Sequence, residues 1–155
     1  MFVHLNIHSN YSKMYSANTF RDYLQSARKQ NMKYMAITEV NGVWGFVHFV
    51  HLAKDYGIKP IAGTNLIAKN QEAVLLAKNK NGFSNICRIL SAQHLEPNFS
   101  LIQSLQKYHD GVFILSHQIE ILKQLDFIPK SELFIELRPG VDEALPKEWE
   151  QSLDI

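Results

Sequence analysis

Short apolar runs with a period near two alternate along this chain with longer stretches in which apolar positions recur three or four residues apart. Phe2, Val3, Leu5 and Ile7 predict a short strand at the start. Thr19, with Asp22 three residues later, has the spacing of a capping box, and Phe20, Tyr23, Leu24 and Ala27 then share one helical face. Tyr34 to Thr38 reads as a second strand. A second helix runs from about Gly45, with Phe46, Phe49, Val50, Ala53 and Tyr56 inward and Gly57 as its stop. Ile58 to Ala62 is a third strand, which Pro60 marks as short or edge-placed. Ala73 to Ala77 is a fourth. Asn81-Gly82 predicts a turn before a helix from Phe83 to Ala92, and Pro97-Asn98 a break before a helix over Leu101 to Tyr108. A strand at Val112 to Leu115, a helix at Ile119 to Leu125 and a strand at Leu133 to Leu137 complete the pattern. Beyond Arg138-Pro139-Gly140 it gives way to a polar tail. Strands alternating with helices predict a mostly parallel α/β architecture.

Composition narrows the classes. The 155 residues, 46% hydrophobic and 20% charged, suit one globular domain. A net charge of +1 gives no support for a strongly electropositive nucleic-acid surface. The single cysteine, Cys87, sits in the apolar run Ile86-Cys87-Arg88-Ile89-Leu90, which predicts a reduced, buried thiol and a cytoplasmic location. No apolar run reaches membrane-spanning length, so no membrane association is expected, and no secretory leader is expected either. The chain contains no glycine-rich nucleotide loop and no nucleophile elbow. Its aromatics follow core periodicity.

In a parallel barrel, chemistry collects where strands end. The residues placed there are Asn6, His8, Glu39, Asn65 and His117. Imidazole and carboxylate suit zinc or manganese, which makes His8 and Glu39 the metal-ligand candidates, with His117 as a speculative addition. Asn6 and Asn65 bring neutral amides, and Val40 brings no donor. Two competent ligands fall short of the three or four that a stable site needs. The competing reading has His8 bonding Ser9, Ser12 or a backbone carbonyl, and Glu39 capping the next segment or pairing with a lysine. His48 and His51 read as surface or boundary residues. His4 faces away from the apolar set, and His94 and His109 lie near helix ends.

Phe2-Val3-His4-Leu5 leading to His8-Ser9 and Tyr11-Ser12, then Ala36-Ile37-Thr38 with Gly45 and Phe49, resembles the N-terminal PHP (polymerase and histidinol phosphatase) domain of bacterial DNA polymerase III alpha subunits. Gly57-Ile58-Lys59-Pro60-Ile61 with Gly63, Val74 to Asn79, Gly82-Phe83, Asn85 and Cys87-Arg88 continue the likeness, which is closest over residues 1–91. The resemblance implies a distorted (β/α)₇ barrel, here incomplete, with residues 1–155 as its N-terminal part. Active members carry a His-x-His pair, an Asp-His after the second strand and a Glu after the third. Asn6 with His8, Glu39 with Val40, and Asn65 stand at those positions, so the resemblance implies a degraded metal site. It predicts no bound cofactor, or zinc or manganese if the site works. The implied role is structural: packing against the remainder of the alpha subunit, offering a surface to a proofreading exonuclease, and meeting DNA only through the full polymerase. The parent would be a DNA-directed DNA polymerase, whose nucleotidyl-transfer site lies outside this chain. An active metal-dependent phosphoesterase and a stand-alone interaction module are the alternatives.

Overall fold

The computed structural model describes residues 2–138. Its elements are α1 (Phe20–Lys29), β1 (Tyr34–Val40), α2 (Phe46–Tyr56), β2 (Lys59–Ala68), β3 (Gln71–Ala77), α3 (Lys80–Leu95), α4 (Leu101–Tyr108), β4 (Val112–Ser116), α5 (Ile119–Lys123) and β5 (Leu133–Ile135). The strands form a five-stranded sheet in chain order. Helices cover one of its faces. Phe20, Leu24 and Ala27 of α1 and Phe49 and Ala53 of α2 pack on Met35 and Ile37. Ile86, Ile89, Leu101 and Leu105 of α3 and α4 pack on Leu66, Leu75 and Ile114. Each large side chain buried there contributes roughly 1.5–3 kcal/mol. The other face carries Ala36, Val74, Leu76 and Leu115, with Ile61 and Phe113 beside them. A sheet lined with helices on one side and with small or branched residues on the other is the wall of an incomplete α/β barrel.

Local chemistry explains most boundaries. The Thr19–Asp22 capping box closes reciprocally at the start of α1. Gly45 (φ 68°) and Gly57 (φ 69°) bracket α2 in left-handed conformations open to glycine. Ser100 caps α4 through the Gln103 N–H.

Five expectations are corrected. The sheet is mixed: β1–β2 and β4–β5 are parallel, whereas β2–β3 and β3–β4 are antiparallel. A two-residue turn, Lys69-Asn70, joins β2 directly to β3, with Lys69 left-handed at φ 54°. Residues 2–7 are extended but form no regular strand. Ala36 N–H bonds the His4 carbonyl and Thr38 N–H bonds that of Ile7, so two residues on β1 answer three on the segment and the ladder is broken. Pro60 lies near the start of a ten-residue interior strand, where its missing N–H costs little, and Asn65 therefore sits within β2 and not beyond its end. Asn81-Gly82 forms no turn; both lie in the first turn of α3, capped by the Asn79 side chain on the Gly82 N–H. The last strand stops at Ile135. The expected polar tail lies outside the described residues.

Gly82 shows why that helix begins where it does. A Cβ there would fall 1.8 Å from the Gly111 carbonyl oxygen, and Gly111 itself is left-handed at φ 74°. Gly82→Ala is expected to push α3 off the turn before β4, costing about 1–3 kcal/mol by urea denaturation.

Candidate functional site at the mouth of the sheet

Adjacent residues of a strand face opposite ways. Ala36, Thr38 and Val40 of β1 therefore face the concave side, while Ile37 and Glu39 turn toward the helices. Glu39 is 1% exposed. A carboxylate so enclosed costs several kcal/mol unless donors surround it, and the turn over residues 9–12 supplies them. The Ser9 N–H lies 3.2 Å from both oxygens, the Ser9 hydroxyl donates to Oε1, and the Ser12 hydroxyl donates to Oε2. Ser12 Oγ in turn accepts the Val40 N–H at 2.8 Å. Glu39 thus clamps this turn onto β1.

His8 is held separately. Its Nδ1 lies 2.6 Å from the Thr38 carbonyl, and because a carbonyl only accepts, Nδ1 carries the proton. The ring meets Tyr15 edge-on and lines a cleft of about 350 Å³ with His4, Ser16 and Tyr23. Val40 stands in register with Asn65.

The concave side gathers a different set. Thr38 Oγ1 donates to Asn6 Oδ1 at 2.9 Å, and Asn6 Nδ2 donates to Glu136 Oε1 at 2.6 Å, across 130 residues. Arg138 Nη2 contacts Glu136 Oε2 at 3.1 Å and Glu72 Oε1 at 2.5 Å. Asn65 Nδ2 reaches the same Glu72 oxygen at 3.2 Å. Asn65 is 3% exposed, and its Oδ1 has no partner among the described residues; the enclosed Nδ1 of His117, just past β4, has none either. Burial pushes the Glu72 pKa up, but the Arg138 guanidinium, the Asn65 amide and the nearby His117 outweigh it, so the carboxyl stays below the ordinary range. Burial works the other way on Arg138, and its bonds to Glu72 and Glu136 raise its pKa despite it.

The structure therefore brings Asn6, Asn65 and the region of His117 together and places His8 and Glu39 in separate settings. Glu72, Glu136 and Arg138 were not singled out in the sequence. The spacing Glu136-x-Arg138 is a period-two signal at a strand end, whereas Glu72 comes into view only once the β2–β3 pairing is known. Among the described residues, no three His, Cys, Asp or Glu side chains are gathered so as to hold a metal ion.

A partial α/β barrel with a polar cluster at its mouth defines the class, and sequence comparison supplies the family. The PHP domain profile matches residues 4–149; the chain belongs to the PHP domain family. It is 32% identical over 134 residues to the DNA polymerase III subunit alpha of Borreliella burgdorferi, covering 74% of this chain and 12% of that protein. It is 36% identical over 95 residues to the error-prone DNA polymerase of Symbiobacterium thermophilum, covering 61% of this chain and 9% of that one. The chain thus spans about a tenth of the length of these relatives. Among solved structures, an amidohydrolase from Chromobacterium violaceum matches with a TM-score of 0.44 at 18% identity, over 58% of this chain and 34% of that one. The family resemblance implies a metal for active members, held in part at positions where this chain carries other residues. Asn6, Val40 and Asn65 offer two amides and an alkyl group, and the carboxylates at the mouth already share a guanidinium.

Two measurements test this geometry. Ser12→Ala removes a donor from a buried carboxylate and is expected to cost about 1–3 kcal/mol in denaturant unfolding. Because the folded Glu72 pKa is depressed, its contribution to stability is fully present above the unfolded value and is lost as pH falls through the folded one. The stability gap between the parent and Glu72→Gln should accordingly be open near pH 6 and shrink toward about pH 3.

Proposed function

We propose that this chain is the N-terminal PHP domain of a DNA polymerase III alpha-type protein and that it acts structurally, not as a metal-dependent phosphoesterase. One observation carries the reading: the carboxylates at the mouth are already engaged by side chains of the same chain. Asn6 is bound to Glu136, and Glu72 and Glu136 share Arg138. Glu39, the strongest carboxylate candidate, is consumed by the Ser9–Ser12 turn on the opposite face.

The relatives named above support the context, since the matched segment is a small part of each polymerase. In this reading the domain packs against the remainder of the alpha subunit in the cytoplasm, can present a surface to a proofreading exonuclease, and meets DNA only through the full polypeptide. Among the described residues, no helix is long and apolar enough to cross a membrane.

Elemental analysis of the chain purified without chelator is the direct test. Zinc and manganese are expected well below one equivalent, because a stable site needs about three or four protein ligands. A full equivalent of either metal would overturn the structural reading.

A further inference from the structure

Helices α3 and α4 pack together on the helical face of the sheet, opposite the concave side, and leave a cleft of about 450 Å³ between them. An arginine is already held in place there. Arg88 Nη1 donates to Asn85 Oδ1 at 2.9 Å, and the guanidinium lies 5.8 Å over the Tyr108 ring. Asn85 is itself buried and anchored on the Asp110 carbonyl, so the support is fixed in turn. The remaining guanidinium donors of Arg88 have no partner among the described residues. Ser104, Lys107 and Tyr108 stand three and four residues apart on α4 and therefore share the face that meets Arg88. Lys107 adds a second positive charge to the lining. Ser104 is only 7% exposed and lines the cleft, yet its hydroxyl makes no hydrogen bond among the described residues. An enclosed hydroxyl without a partner is costly, and this one lies beside two cations.

We propose that this cleft binds a small phosphomonoester, with the phosphoryl group held by Arg88, Lys107 and Ser104. Two cations match a dianion, whereas a carboxylate ligand brings a single charge. A guanidinium, an ammonium and a hydroxyl converge from two helices, which suits the oxygens of a tetrahedral group better than those of a planar one. The cleft has the volume that encloses a small organic molecule. Away from Arg88 its lining turns to Ala92 and the exposed Leu95, and the organic body of the ester lies along that stretch. Glu96 is the one carboxylate among the described residues of the lining. It stands two turns beyond Arg88, roughly 12 Å along the helix axis, clear of the phosphoryl end. Cys87 also lines the cleft, and burial pushes its thiol pKa up, so it brings no competing charge.

The test titrates phenyl phosphate, inorganic phosphate and benzoate calorimetrically into the whole chain near pH 8, where the ester is about fully a dianion. Cys87, the single cysteine, reports occupancy through its rate of alkylation by iodoacetamide. Phenyl phosphate is expected to bind saturably, at least about tenfold more tightly than either of the other probes, and to slow the alkylation several-fold. Arg88→Gln and Lys107→Gln should each weaken it by about tenfold. Ser104→Ala should weaken it at least about threefold without lowering the urea midpoint, which loss of a hydroxyl serving the fold would lower. Lys69→Gln, the same charge change on the β2–β3 turn, should leave binding unchanged. Absence of saturable phenyl phosphate binding overturns the proposal, as does binding that survives both Lys107→Gln and Ser104→Ala, or alkylation that is unaffected at saturation. Inorganic phosphate that binds as tightly as phenyl phosphate overturns the assignment to an ester, and benzoate that does so overturns the assignment to a phosphoryl group. If Arg88→Gln does not fold, the exposed Lys107→Gln carries the comparison. Each of these outcomes leaves the structural reading of the mouth intact.

Discussion

A buried carboxylate that must be satisfied organises one end of this domain. Glu39 is buried on the face of β1 that also carries Ile37, where a carboxylate without donors is costly, and nearby chain supplies them from the turn over residues 9–12. Satisfying it fixes that turn against β1, and fixing the turn sets where the preceding residues run. Ile7 then bonds Thr38 through its N–H and its carbonyl, and His8 reaches the Thr38 carbonyl. Asn6 comes to rest over the concave face. The loop order that a regular strand would have provided is supplied here by an anion and its serines.

On the other face the same strand takes part in closure. The sheet is open, with β1 at one edge and β5 at the other. The N-terminal segment lies beside β1, and Asn6 bridges from there to Glu136, just past β5. Arg138 and Glu72 carry the connection back through Asn65 to β2. Each contact is partly exposed, and pairs of that kind contribute little singly. Their effect is geometric: they tie the two edges of the sheet through side chains.

Legibility followed where the deciding chemistry lies. Helices with their own punctuation, such as α1 with Thr19 and Asp22 or α2 between Gly45 and Gly57, were readable because the signal is local. The β2–β3 hairpin was not, because its turn is Lys69-Asn70 without the glycine that marks such turns, and the run before it appeared to end at Ala62. Phe2 to Ile7 has a strand's pattern, but the extra residue in its pairing with β1 is a tertiary fact. For the site, resemblance placed Asn6, Val40 and Asn65 together, and the sheet does put them on one face. The opposite facing of Glu39 was already implied by the alternation Thr38-Glu39-Val40. Arg138 was read only as the boundary of a fading pattern, since its role depends on partners far away in sequence.

The bond between Asn6 and Glu136 also bears on how such a chain matures. Its partners are 130 residues apart, so the Asn6 amide waits for this acceptor until nearly all the described chain has followed. The βαβ unit and the hairpin close over short distances and form early, whereas contacts of long sequence separation come late. The entropy of joining distant points grows only with the logarithm of the loop, so the delay orders events without forbidding them. Until then the N-terminal segment depends on its bonds to β1 and on the Glu39 clamp, and the mouth is the last part of the domain to take shape.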